Sequence, residues 1–114
     1  MRPTRPISWI KAARKDFSGF PERVQVDTLS ALTIIADGGK PDIAKPLSGL
    51  GSGILELVLN DRSGTYRVVY AVQIDQDIWV IHAFQKKSKT GIKTPAHEID
   101  LIRERLKRLK EILR

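Results

Sequence analysis

The chain reads as an α+β domain: a small antiparallel meander with helices packed on one face, in the order β-α-α-β-β-β-α. Three observations predict this. Apolar runs at about 54–60, 65–73 and 78–85 are separated only by Asp61-Arg62-Ser63-Gly64 and Ile74-Asp75-Gln76-Asp77, and connections this short join antiparallel neighbours. Helical spacing of apolar residues flanks these runs on both sides. The 114 residues contain no cysteine, so one domain spanning 1–114 is expected to close its core without disulfides.

Taken in order, residues 5–10 form a short first strand or an extended lead-in. A basic helix over about 11–18 is broken by Gly19 and Phe20-Pro21. Pro21 suits the first turn of a second helix, about 21–36, with apolar positions Val26, Leu29, Leu32 and Ile35 or Ala36. Gly38-Gly39 stops it. Residues 40–53 hold Pro41, Pro46, Gly49, Gly51 and Gly53 and read as a loop containing Lys45, tacked to the core by Leu47 and Leu50. No phosphate-cradling glycine motif is present there, because no strand precedes it and no Lys-Ser/Thr closes it. After the three strands, 96–114 is an amphipathic helix carrying Ile99, Ile102, Leu106, Leu109 and Leu113. Thr94-Pro95 and Glu98 mark its start.

Composition narrows the chemistry. Without cysteine there is no thiolate nucleophile and no thiolate zinc site, and His82 and His97 are too few for an obvious metal cluster. No signal peptide or spanning segment is read, so a soluble cytoplasmic microbial protein, with no role at a membrane, is expected. The net charge of +7 is uneven. Residues 1–23 carry six Lys/Arg against two acids and residues 86–114 ten against four, whereas 24–85 carry four against seven. Basic ends of this kind suit nucleic acid or an acidic protein, and a solvated basic helix explains them equally well.

Alternation along the strands sorts the chemistry-bearing side chains. With symmetric turns, 58, 67 and 84 form one cross-strand row and 56, 69 and 82 the next, all on one face. That face presents Glu56, Arg67 and His82, with Lys86 at the strand end, among Val58, Val69, Val80 and Phe84. The opposite face, with Leu57, Leu59, Tyr66, Val68, Tyr70, Trp79, Ile81 and Ala83, is the one to be covered by helices. Each polar residue has a plain structural reading: Glu56–Arg67 as a cross-strand ion pair, His82 as a satisfied strand histidine, Lys86, Lys87 and Lys89 as a solubilising strand end. Their convergence on one face points instead to a site for a phosphate-rich ligand.

The segments Gly64-Thr65-Tyr66-Arg67-Val68-Val69-Tyr70 and His82-Ala83-Phe84-Gln85-Lys86-Lys87-Ser88 resemble the RelE/ParE superfamily of toxins from type II toxin–antitoxin systems. Lys45-Pro46-Leu47, Leu55-Glu56-Leu57 and Arg103-Glu104-Arg105-Leu106 narrow the resemblance to its phage-derived HigB-like branch. The resemblance implies a RelE-like, microbial RNase-like fold with two N-terminal helices on one face. It also implies a metal-independent, ribosome-dependent mRNA endonuclease without a cofactor, in which the RNA 2′-hydroxyl is the nucleophile. Residue by residue, Arg67 becomes the ligand of the scissile phosphate and Lys86 or Lys87 a second one. His82 becomes a proton donor or acceptor, and Glu56 a base or the holder of Arg67. Lys45, Arg62 and Lys89 complete the set as RNA contacts. The implied partners are a cognate antitoxin of helix-turn-helix type, the ribosome with its mRNA, and operator DNA only through the antitoxin complex. Val58 stands where the branch often has an arginine. That absence supports one alternative to the nuclease, a weak homologue acting mainly by binding its antitoxin; a gyrase-inhibiting ParE-like toxin is the other.

Overall fold

The computed structural model describes residues 4–86 and 93–113. Its elements are β1 (Ile7–Trp9), α1 (Lys11–Phe17), α2 (Glu22–Ala36), β2 (Ala44–Pro46), β3 (Ile54–Asp61), β4 (Gly64–Ala71), β5 (Ile78–Lys86) and α3 (Ala96–Ile112). The α+β class and the antiparallel β3–β4–β5 meander are as expected. The sheet has five strands in the order β1-β5-β4-β3-β2. β1 is a true strand, parallel to β5 from Ile7↔Ile78 to Trp9↔Val80.

The two N-terminal helices cover one face, as the resemblance implies. Leu32 and Ile35 pack there against Leu57, Val68 and Tyr70. A chain of rings, Trp9–Phe17–Phe20–Tyr66, ties β1, α1 and the sheet together at centroid spacings of 4.8, 5.7 and 4.8 Å. Within α2 the inward stripe differs from the predicted one. Val24, Thr28, Ala31 and Leu32 are buried, whereas Val26 and Leu29 are 54% and 49% exposed. Small side chains at 28 and 31 let the helix lie close to the sheet. The Thr28 hydroxyl is accommodated there because it donates to the Val24 carbonyl at 2.7 Å.

α3 lies on the opposite face, so the helices do not all pack on one side. Ile102, Leu106 and Leu109 cover Ile54, Val69, Ala71 and Ile81, an apolar half-face that water would otherwise meet. The predicted loop 40–53 also contains β2, which pairs antiparallel with β3 through Lys45↔Glu56. Pro46 is tolerated because β2 is an edge strand.

The cross-strand rows Val58–Arg67–Phe84 and Glu56–Val69–His82 are in the predicted register. One residue further the symmetry fails, since Tyr70 pairs with Val80, leaving Ile81 as a bulge. The bulge sends Ile81 to the α3 side and Val80 to the α1–α2 side, the reverse of the expectation for both. Behind it, the Arg5 guanidinium donates to the carbonyls of Val72, Gln76 and Asp77 at 2.7, 3.0 and 3.2 Å. That clamp holds residues 72–77 as a longer turn and ends β4 at Ala71.

Candidate functional site

β3 and β4 deliver Glu56 and Arg67 to the face shared with α3, on adjacent rows. Arg67 Nη1 donates to Glu56 Oε1 at 2.9 Å, with the two side chains 5% and 7% exposed. The cross-strand ion pair of its plain structural reading is present, and it is buried. Thr94, just ahead of α3, closes a triangle: its hydroxyl donates to Glu56 Oε2 at 2.9 Å and accepts from Arg67 Nη1 at 3.2 Å. Each carboxylate oxygen thus accepts one of these bonds and keeps a further lone pair.

Lys86, the last residue of β5, is buried at the other end of the same row set, opposite Thr65. Desolvation, then the field of the Arg67 guanidinium, pushes its ammonium below the usual lysine range, partly offset by Glu56. A cation in this setting gives up its proton more readily than an exposed lysine.

A cleft of about 490 Å³ opens over the triangle. Arg67, Glu56 and Thr94 line it, with Lys45 from β2 and Lys93 from the approach to α3 at its rim. A second hollow shares Lys93, Thr94 and Ile99 and continues to Lys86 and Arg103. The two hollows thus meet at the residues leading into α3, and cations line both.

His82 is brought to the same face but not into these hollows. Its side chain is 3% exposed and stacks on Phe84 at 5.2 Å. Nδ1 lies 2.7 Å from Arg105 Nη1, and a guanidinium only donates, so Nδ1 accepts. The proton therefore sits on Nε2, which donates to Glu98 Oε1 at 3.0 Å. Burial first, and Arg105 after it, holds the imidazole below its usual range, against the opposing pull of Glu98. His82 is a neutral ring bound on both sides by α3.

Of the remaining sequence-predicted residues, Lys45 lines the cleft. Arg62 is exposed in the two-residue turn between β3 and β4, and lines neither hollow. Lys87 and Lys89 lie outside the described residues. Thr94, Lys93 and Arg103 were not singled out as site residues by sequence reasoning. Thr94 lies 27 and 38 positions from its two partners, and its place before Pro95 signals only a helix start.

The family model described as Phage derived protein Gp49-like matches residues 15–107. No curated protein sequence matches the chain. Among solved structures, an arginine double mutant of the E. coli toxin RelE in the free state is 17% identical with a TM-score of 0.63, covering 94% of this chain and 99% of that one. The isolated E. coli RelE toxin is 18% identical with a TM-score of 0.56, over 92% of this chain and 98% of the other. The RelBE2 toxin–antitoxin complex of Mycobacterium tuberculosis contains a chain 18% identical, with a TM-score of 0.52, covering 74% of this chain and 100% of that one. At these identities the likeness establishes the fold.

Proposed function

The chain belongs to the phage-derived Gp49-like family, and from that membership we propose that it is the toxin of a type II toxin–antitoxin pair and cuts mRNA on the ribosome. The observation that carries this reading is the buried Glu56–Arg67–Thr94 triangle beside Lys86, under a cleft rimmed by cations. Such a site offers charge for a phosphodiester and a carboxylate, with an acidified ammonium in the neighbouring hollow.

In the proposed reaction the RNA 2′-hydroxyl gives its proton to the Glu56 carboxylate as the O2′–P bond forms. Arg67 neutralises the charge growing on the non-bridging oxygens. The P–O5′ bond breaks and O5′ takes a proton from the Lys86 ammonium, leaving a 2′,3′-cyclic phosphate and a 5′-hydroxyl. Each proton transfer is worth roughly 10²–10⁴-fold, and charge stabilisation by Arg67 about 10²–10³-fold. His82 acts indirectly, fixing the start of α3 and hence Thr94. The partner is an antitoxin with acidic surface that neutralises the basic groove.

A second reading has its own support. Both Glu56 oxygens already accept hydrogen bonds, which suits a holder of Arg67 in a toxin homologue that chiefly binds its antitoxin. The two are separated in a purified translation reaction carrying a reporter mRNA. The nuclease reading expects reporter cleavage by the native chain and a loss of about 10²-fold or more in Glu56→Gln. Full cleavage by Glu56→Gln assigns Glu56 to holding Arg67, and an uncut reporter with the native chain sinks the nuclease.

A further inference from the structure

The cleft above Arg67 is not uniformly polar. Pro46 and Leu47 form one wall, and Val58 and Ile99 stand with them in the same cleft. Pro46 is exposed and Leu47, Val58 and Ile99 are half-buried, Leu47 and Ile99 packing against the core under α3. Their placement is built rather than incidental. Leu47 N donates to the Ile54 carbonyl at 2.9 Å, which pins the chain just past β2, and Gly49 turns it away with φ +87°. Ser48, between them, brings a hydroxyl to the mouth of the cleft.

The chemistry of an occupant follows from this pairing. The cleft is lined by a guanidinium and a threonine hydroxyl, by four aliphatic side chains of which Val58 stands directly across the strands from Arg67, and by Lys45 and Lys93. An anion with a flat apolar group attached, inside a longer polyanion, matches all three parts. The volume of about 490 Å³ falls in the roughly 300–1,000 Å³ range of small-ligand pockets.

We propose that the slot formed by Pro46, Leu47, Val58 and Ile99 is a nucleobase subsite, holding the base next to the phosphate at Arg67 while Ser48 reads its edge. The proposal rests on the cleft being an RNA site. It also gives Val58 a positive role: an apolar floor admits a base where a long cationic side chain would fill the slot.

The test uses fluorescence-labelled 2′-O-methyl hexanucleotides, which lack the nucleophile and stay intact, titrated with the purified chain by anisotropy. One abasic residue is moved through the six positions. The native chain should lose about tenfold in affinity when the abasic residue occupies one particular position, and less than about twofold elsewhere. Val58→Phe, which fills the slot, and Leu47→Ala, which opens its wall, should both erase that position-specific loss. Circular dichroism on each variant separates an altered slot from an unfolded chain, and Leu47→Ala carries the test if Val58→Phe fails to fold. Equal losses at every position, a loss that persists in both variants, or no binding of any oligonucleotide would overturn the subsite. Failure of the nuclease itself shows up separately, as uncut mRNA in the translation reaction with the oligonucleotide pattern intact.

Discussion

Glu56 and Arg67 each keep the other's charge tolerable in a buried setting, so removing either charge alone destabilises the fold. Removing one partner should cost about 3–5 kcal/mol, because it strands an uncompensated charge. Removing both as Glu56→Met with Arg67→Met should cost less than the sum of the single changes. Urea unfolding of the three variants checks this, and strict additivity would mean the pair is not coupled. His82 gives a pH signature. Its folded-state pKa lies below the 6.5 of the free side chain, so the unfolded chain binds the extra proton first. The corresponding stability is present above pH 6.5 and is lost as pH falls through the lowered folded value. Thermal melts from pH 7.5 to 5 should show a falling midpoint in the native chain and a flatter profile in His82→Gln. Identical slopes would detach His82 from the acid sensitivity of the fold.

At the scale of elements, α3 completes the site that β3 and β4 begin. Thr94→Val keeps the shape of the side chain and removes its hydroxyl, so it should leave the melting midpoint within a few degrees while lowering cleavage by about tenfold or more through a misaligned Glu56. An unchanged rate in the translation reaction would reduce Thr94 to a helix-start residue. Elsewhere the ring chain of Trp9, Phe17, Phe20 and Tyr66 is the joint between α1 and the sheet. Phe17→Ala should therefore cost about 3–5 kcal/mol in urea unfolding. What the sequence revealed at this scale follows from local rules. Strand alternation put Glu56 and Arg67 on one face because β3 and β4 meet through a two-residue turn without slip, and His82 with them because Val69↔His82 is paired on the near side of the bulge. The bulge at Ile81 was not legible, since it depends on β1 pairing with β5 and on Arg5 reaching the 72–77 turn from far along the chain. The α2 stripe misled for a related reason: Thr28 counts as polar in a pattern but is buried through its own backbone bond. Thr94 had no pattern to announce it, because its meaning lies wholly in two distant partners.

Across the whole molecule, the fold gathers cations that the sequence keeps apart. Lys45 comes from the middle of the chain, whereas Lys86, Lys93 and Arg103 come from its basic end; Lys45 and Lys93 line the cleft over Arg67, and Lys86, Lys93 and Arg103 the neighbouring hollow. A polyanion bound there should show log affinity falling linearly with log salt. Lys45→Ala or Lys93→Ala should each flatten the slope by about 0.7, the value for one single-strand phosphate contact. Anisotropy at several salt concentrations reads this directly. The central claim, that the groove cuts mRNA on the ribosome, is tested most directly by mapping RNA 5′ ends after inducing the native chain and folded Arg67→Lys and Lys86→Gln variants, with translation active or blocked at initiation. The account predicts new 5′-hydroxyl ends inside translated regions for the native chain, absent when initiation is blocked and reduced at least about tenfold in both variants. New ends that persist without ribosomes, or that are equally abundant in the variants, would contradict it.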